Sequence, residues 1–411
     1  MRKVLLATLT GLVALTVPLQ AQVTIRHGQS LSQLLNNLYG GNGIQLKDTG
    51  HQAHFGDSQD FQQFSETLQA VLQSRSLYPL PPTTGVISYT FNEETGTYTR
   101  ATGSFGPVLA DRASTTGIGN INFSTSYTIG NFETINGNET TTLTLRHCLT
   151  AQCVSNIASP YLQDTIRIDM RMRLKSQAWA TSIVYGLTNK IDIGIVIPYL
   201  RNDLQVFTHA SIIPGPQSAP PGPHEFEIAL ETPDQLGSAT AIGIGDITAR
   251  AKYQLASSLP FDLAVLGDLI LPSGDQQDFL GTGATRVKGT FIASKQGAKF
   301  APHLNAGVEY NIDDSSLWNI DYRIGSEIVA TPRLTLVGDL LGVIRPGVSG
   351  EFTARALDGQ ELIGQSEIDA AIGGKWEVNP TTLLVMNVLT PLNTSGIRPS
   401  ASFTVGLQVG F

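Results

Sequence analysis

Apolar and polar residues alternate along the last eleven residues of the chain, ASFTVGLQVGF. The apolar members occupy every second position: Ala401, Phe403, Val405, Leu407, Val409 and Phe411. A period of two is that of a β-strand with one apolar and one polar face. The pattern therefore predicts a strand that closes the chain on an aromatic residue.

A second alternating segment, TIRIDMRMRLK, carries charged residues on one face. The charged positions are Arg167, Asp169, Arg171, Arg173 and Lys175, and each position between them is Ile, Met or Leu. A strand of a soluble sandwich seldom turns five consecutive charged residues to one side. A membrane β-barrel does so when one face meets a wet lumen and the other meets lipid. We therefore expect these five side chains to face a lumen.

Further segments repeat this separation of charged and apolar faces. Charged residues lie on the polar side of DITARAKYQL, WNIDYRI and SEIDAAIGGKW: Asp246, Arg250, Lys252, Asp321, Arg323, Glu367 and Asp369. We expect these side chains to face the lumen as well. The charges form either a wall of ion pairs, which keeps buried charges satisfied, or a path for a solute.

Counting back from Phe411 gives about twelve strands, joined by connections of alternating length. GLTNK, ASSLP, ATPR and EVNPT are short, whereas 132–161, 203–242, 273–283 and 347–363 are longer. An even number of strands with short periplasmic turns and long outer loops is typical of bacterial barrels. The fold class predicted is all-β, an antiparallel transmembrane β-barrel over residues 118–411. Residues 162–186 are long enough for two strands, so fourteen is the alternative.

The amino-terminal part of the chain has a different pattern. Residues 1–21 predict a signal peptide, with Arg2 and Lys3 before an apolar run that ends at Ala21. Helical spacing of apolar residues follows within 29–38 and 57–77. We interpret 22–117 as a partly helical periplasmic lead, which either folds back as a plug or forms a flexible arm.

Charge narrows the possible partners. The formal net charge is −8, and it becomes −10 without the two positive charges of the signal segment. Phosphate backbones are bound by clustered Lys and Arg, so nucleic acid is excluded as a partner. No run after the signal segment is long and apolar enough for a membrane-spanning helix. A barrel is then the remaining way to cross a membrane.

Candidate chemistry is limited to two cysteines. The sequence contains neither a G-x-S-x-G elbow nor a phosphate-binding loop, so we expect no enzyme, no cofactor and no metal site. Cys148 and Cys153 lie close together in a chain that is exported, where thiols are oxidised. We predict a disulfide that stabilises its loop by roughly 2 kcal/mol. Metal binding with His147 is the alternative, but further ligands are lacking nearby.

Two sets of residues resemble known proteins. The strand that ends at Phe411 resembles the closing strand of outer-membrane barrels, in which the terminal aromatic residue is an assembly signal. YGLTNKIDIGIVIPYL, GIGDITARAKYQL and LILPSGD resemble the family called the MetA-pathway of phenol degradation, most clearly over residues 180–411.

These resemblances imply a location and a function. They imply a barrel of the cell outer membrane whose partners are membrane lipid, the barrel assembly machinery and a small hydrophobic solute. The expected function is passive passage of small hydrophobic or aromatic solutes across that membrane. The alternative is a structural or surface-interaction barrel with a closed lumen.

Overall fold

The computed structural model describes most of the chain from residue 103 onward and parts of the lead. The described residues are 22–24, 30–36, 38, 46–47, 89–92, 97–100, 103–146, 160–216, 224–226, 234–257, 260–314, 318–346 and 366–411. The predicted signal peptide (1–21), Cys148, Cys153 and the helical pattern at 57–77 lie outside these residues.

Strands dominate the described residues, with one short helix, α1, at Leu31–Asn36. The strands are β1 Gln22–Thr24, β2 Tyr89–Asn92, β3 Thr97–Arg100, β4 Ile121–Ile135, β5 Thr141–Arg146, β6 Thr165–Gly186, β7 Ile191–Ile213, β8 Asp234–Ile244, β9 Ile247–Ala256, β10 Asp262–Leu271, β11 Arg286–Ser294, β12 Phe300–Asn311, β13 Trp318–Thr331, β14 Leu334–Ile344, β15 Ser366–Asn379, β16 Thr382–Pro391 and β17 Ile397–Gly410.

Twelve strands close into an antiparallel barrel. The ring runs β4, β6, β7 and then β9 to β17 in order. It closes because β17 pairs with β4, with Val405 opposite Tyr127. The predicted all-β barrel of twelve strands is confirmed. The fourteen-strand alternative is wrong because residues 165–186 form one continuous strand, β6.

The barrel has two different ends. One end, here called the turn end, holds Phe411 and the short connections, including the four predicted from the sequence. The other end, the loop end, holds the longer connections together with two short ones, 312–317 and 392–396. Because the ring is closed, its backbone groups pair within the wall, as a hydrocarbon environment demands. No helix among the described residues is long and apolar enough to cross a membrane.

Large apolar side chains cover the outer surface of the shorter strands and of the turn-end halves of β6 and β7. Exposed members from different strands include Trp179, Ile183, Ile195, Val265, Phe291, Ile324, Phe403 and Val405. The apolar face of the closing strand, read from the sequence, thus points outward. Such a band is what lipid contact requires of a barrel.

Two strands extend well beyond the rest at the loop end. β6 has 22 residues and β7 has 23, or about 70 Å each along the strand, whereas the apolar band of a membrane barrel is about 25 Å tall. Their far halves pair with β5 and β8, and β1 adds a parallel edge on β8. The result is a sheet that projects from one side of the barrel.

Helix α1 packs at the loop end. Leu34 and Leu38 lie so close to Gly237 of β8 that a Cβ there would come within 2.7 and 2.8 Å of their methyl carbons. The Leu31 amide also donates to Asp278 at 2.9 Å. A helix within 29–38 was predicted, but its position differs from the expected periplasmic lead, because its apolar face is buried among apolar residues of the projecting sheet.

Candidate solute path and plug

The interior at the loop end is filled by closely packed apolar side chains. Even-numbered residues of β6 point inward along its whole length, so Ile166, Ile168, Met170, Met172 and Leu174 face the inside beyond the lipid-facing band. They join β7 residues and α1 in one buried cluster, which also includes Leu31, Leu34, Leu38, Leu200, Leu204 and Val206. We call this cluster the apolar chamber.

The connection between β10 and β11 folds into the same chamber. Phe279 and Leu280 are buried in the cluster, and Asn202 donates to the Phe279 carbonyl at 2.8 Å. Asp246 holds this connection in place, since its carboxylate accepts the amides of Gly274 and Thr282 at 3.2 and 2.9 Å. Asp246 was predicted to face the lumen, and it is buried inside the wall.

The interior at the turn end is occupied by residues 103–117, here called the plug segment. Gly103 lies against the β11–β12 turn at Ala298, and Gly117 lies against Gly186, so the segment enters and leaves at the turn end. Between these points it is buried, with Phe105, Val108, Leu109, Ala110, Asp111, Arg112 and Ala113 at most 6% exposed. The plug segment therefore fills the lumen from the turn end.

Hydrogen bonds between the plug segment and the wall fix its backbone. The amide of Asp111 donates to Asn305 Oδ1 at 2.7 Å, and Asn305 Nδ2 donates back to the Asp111 carbonyl at 2.9 Å. Arg323 donates to the Leu109 carbonyl at 2.6 Å. The Ala113 amide donates to Ser294 at 3.0 Å. These four hydrogen bonds pair backbone groups of the plug segment, which is irregular and does not pair with a neighbouring strand.

Glu327 is the centre of a buried charged cluster between plug and wall. Its carboxylate accepts from Arg112 and Ser104 of the plug segment. On the wall side, His303 Nδ1 lies 3.5 Å from Glu327, and its Nε2 lies 2.7 Å from Asp339. The side chains of Arg112 and Glu327 are 7% and 1% exposed. A buried charge is costly unless it is paired with an opposite charge, so this cluster stabilises the plug segment against the wall.

Two predicted residues of β9 also contact the plug. Lys252 donates to the Ser114 carbonyl at 2.7 Å and lies 3.5 Å from Asp192. Arg250 pairs with Asp268 at 2.7 Å and lies 3.8 Å from Asp111. These lumen charges therefore serve both the wall and the plug segment.

The remaining predicted lumen residues pair across the wall. Lys288 contacts Asp321 at 2.7 Å, Arg345 contacts Glu367 at 3.1 Å, and Arg398 contacts Asp369. This arrangement corresponds to the ion-paired wall, one of the two interpretations of the sequence. Among the described residues, no group of three His, Cys, Asp or Glu side chains could hold a metal ion.

The charged ladder of β6 lies on the outer face, which corrects the expectation that it faces the lumen. Arg167, Arg171, Arg173 and Lys175 are exposed and, with Asp169, share the odd-numbered face of Trp179 and Tyr185, which point out of the barrel. The strand does not change face along its length. Beyond the lipid-facing band the interior is the apolar chamber, so the polar face of β6 is the outer one.

Sequence reasoning missed several residues of the plug and its seat. Glu327 and Asp268 interrupt the apolar strands SEIVAT and DLAVLGDLIL at inward positions, a signal that could have revealed them. Arg112 lies in an irregular segment without periodicity, and its role depends on the fold.

A protein family matches most of the barrel sequence. The family described as "Putative MetA-pathway of phenol degradation" matches residues 154–406, more than half of the chain. No curated protein matches.

Three solved structures are among those similar to this chain. The COG4313 outer membrane channel from Pseudomonas putida F1 has 14% identity and a TM-score of 0.43, covering 73% of this chain and 98% of that one. The P. putida toluene transporter TodX has 10% identity and a TM-score of 0.35, covering 71% and 89%. The Ralstonia pickettii toluene transporter TbuX has 9% identity and a TM-score of 0.35, covering 72% and 90%.

Proposed function

Because this chain belongs to the MetA-pathway of phenol degradation family, we propose that it is an outer-membrane channel through which small hydrophobic or aromatic solutes pass passively. The observation that carries the proposal is the apolar chamber at the loop end, which lies in series with the polar, plugged lumen at the turn end. An apolar chamber takes a hydrophobic solute out of water before it reaches the polar lumen.

The orientation follows from the two ends of the barrel. Short connections face the periplasm in bacterial barrels, and longer loops face outward. The apolar chamber then lies toward the cell exterior and the plug segment toward the periplasm. Membrane lipid contacts the apolar outer band, and the barrel assembly machinery recognises the strand that ends at Phe411.

The energetics suit capture of a small aromatic molecule. A single ring buries about 150 Å² of apolar surface, which stabilises it in the chamber by roughly 4 kcal/mol relative to water. Binding of this strength concentrates a dilute solute but releases it readily. Onward passage then depends on displacement of the plug segment, whose contacts with the wall are hydrogen bonds and ion pairs.

Two further features belong to this proposal. Residues 1–21 direct export and are removed before Gln22. Cys148 and Cys153 form a disulfide in the connection between β5 and β6, which lies outside the cell in this orientation. An enzymatic role is not part of the proposal.

The burial of the plug segment and its hydrogen bonds to the wall favour a second candidate function, a structural barrel with a closed lumen. Uptake distinguishes the two candidates. Cells that lack the protein and cells that regain it are compared for the initial uptake rate of labelled toluene and of a labelled hydrophilic sugar. The channel predicts that only toluene uptake rises with the protein. Equal toluene uptake in both strains, with the protein present in the outer membrane, would favour the closed barrel.

A further inference from the structure

Phe279 in the connection between β10 and β11 has an unusual backbone conformation. Its φ angle is 55°, in the left-handed region that bulky side chains rarely adopt. Among the described residues other than glycine, only Asn136 shares this feature, and asparagine tolerates it better. Phe279 is 3% exposed within the apolar chamber, so packing holds it in the strained conformation. Strained residues of this kind concentrate at binding sites and switch regions.

The connection that carries Phe279 is anchored to the barrel without being part of its wall. Asp246 fixes both ends of the connection through backbone amides. The tip is joined to α1, since Asp278 accepts a hydrogen bond from the Leu31 amide at 2.9 Å. Neither contact involves the side chain of Phe279. The ring can therefore leave the chamber while every barrel strand stays paired.

Asn202 of β7 contacts Phe279 and carries a buried polar atom without a partner. The residue is 0% exposed, and its Nδ2 donates to the Phe279 carbonyl at 2.8 Å. This bond fixes the orientation of the amide, because only its nitrogen can donate to a carbonyl. Asn202 Oδ1 then has no hydrogen-bond partner in the described part of the chain. Since a buried acceptor without a donor is destabilising, Oδ1 is suited to a donor that a solute brings.

The surroundings of Asn202 favour a ring with few polar groups. Leu200 and Leu204 flank it on the inward face of β7 and belong to the apolar chamber. Ala241, opposite it on β8, belongs to the same cluster. Ser176, opposite it on β6, is also buried and supplies a second small polar group at this level. A solute that fits is therefore mostly apolar and carries one donor for Asn202.

We propose that Asn202 and Phe279 form a recognition site for a solute with one aromatic ring and one hydrogen-bond donor, such as a hydroxyl or an amine on the ring. The proposal rests on the channel function proposed above. The solute's ring takes the place of the Phe279 ring in the apolar chamber, and its donor bonds to Asn202 Oδ1. Displacement lets Phe279 leave the left-handed region, so relief of strain favours the exchange. The hydrogen bond then selects among rings of equal size.

Equilibrium dialysis of the folded, detergent-solubilised protein tests this site. The probes are labelled p-cresol and p-xylene, which are similar in size and differ by a hydroxyl in place of a methyl group. Micelles without protein measure the partitioning of each probe. The variants are N202L, which removes the acceptor at similar volume, and F279G, which removes the ring and suits a positive φ. The matched control is N131L, on the exposed outer face of β4, and heat-modifiable gel migration verifies folding.

The selectivity ratio is the dissociation constant of p-xylene divided by that of p-cresol. It is expected to fall about tenfold in N202L, which is the contribution of one hydrogen bond, and to stay at the wild-type value in N131L. F279G should bind both probes about tenfold more tightly, because the site no longer has to be vacated by a ring. Its selectivity ratio should equal that of the wild type.

Four results would overturn the proposal. The first is an unchanged selectivity ratio in a folded N202L, and the second is an equal fall of the ratio in N131L. The third is unchanged affinity of F279G for both probes, a result that decides the matter even where N202L does not fold. The fourth is a wild-type protein that binds neither probe beyond the partitioning into micelles.

Uptake assays separate this proposal from the channel function. Toluene has no hydrogen-bond donor, so N202L should take it up at least at the wild-type rate. Failure of the wild type to pass toluene would refute the channel and leave the ratios measured by dialysis unaffected. An unchanged selectivity ratio in N202L, together with toluene uptake by the wild type, would refute the site and leave the channel standing.

Discussion

Replacing Arg112 by glutamine is expected to release the plug segment while leaving the barrel wall unchanged. Arg112 belongs to the plug, and its guanidinium donates to both carboxylate oxygens of Glu327 and, at 3.3 Å, to the Ser104 carbonyl. Glutamine keeps a polar group at the position but removes the charge and the forked geometry. The wall strands lose no side chain of their own.

The expected magnitude follows from the burial of the pair. Breaking a buried ion pair by removing one partner costs about 3–5 kcal/mol. Glu327 still accepts from Ser104 and faces His303, so we take the lower value, about 3 kcal/mol. Since about 1.4 kcal/mol is a tenfold change in an equilibrium, the population with the plug released should rise about a hundredfold.

Planar-bilayer recording measures this change as the fraction of time in conducting states. The control is Arg167→Gln, which removes a 51% exposed guanidinium from the outer face, where its ion pair with Asp169 contributes little. We expect frequent openings for R112Q and wild-type behaviour for R167Q. Wild-type conductance of a folded R112Q barrel would refute the role of Arg112 as a fastening of the plug.

Three other experiments test separate parts of the structure. Leu34→Ala should destabilise α1 by about 2–5 kcal/mol, because removing a buried leucine side chain leaves a cavity. The amide hydrogens of α1 should then exchange faster. Unchanged exchange would contradict the burial of Leu34. Deleting Phe411 should lower the amount of folded protein in outer membranes, measured as the heat-modifiable band, and an unchanged amount would argue against an assembly signal. Alkylation before reduction should leave Cys148 and Cys153 unmodified in mass spectra; two modified thiols would exclude the disulfide.

The fold was largely predictable because strand periodicity and turn chemistry are local. The closing strand, the short turns such as GLTNK and the count of twelve strands follow from residues that are close in sequence. The inward positions of Arg250 and Asp321 follow from the same period, since apolar neighbours on those strands must meet lipid.

The ladder of β6 shows what a period of two leaves undetermined. Alternation separates two faces but does not say which one is inside. Arg167 and Arg173 have the same odd parity as Trp179 and Tyr185, so continuing the lipid-facing parity along the strand would have placed them outside. The charged half of β6 extends beyond the lipid-facing band, so its outer face can be polar.

The plug and α1 depend on contacts between distant parts of the chain. Arg112 and Glu327 are 215 residues apart, and Leu34 meets Gly237 across a similar separation. No local pattern encodes which irregular segment enters the lumen or which end of the barrel receives a short amphipathic helix.

Solute uptake by a variant of the apolar chamber tests whether solutes pass through it. Met170 and Met172 point into the apolar chamber, and the double substitution M170Q and M172Q keeps their shape while introducing two polar amides. The matched control is Gln205→Met, the reverse exchange on the outer face. With equal amounts of folded protein in the outer membrane, toluene uptake is expected to fall severalfold for the double variant and to stay unchanged for the control. Wild-type uptake by the double variant would contradict passage through the apolar chamber.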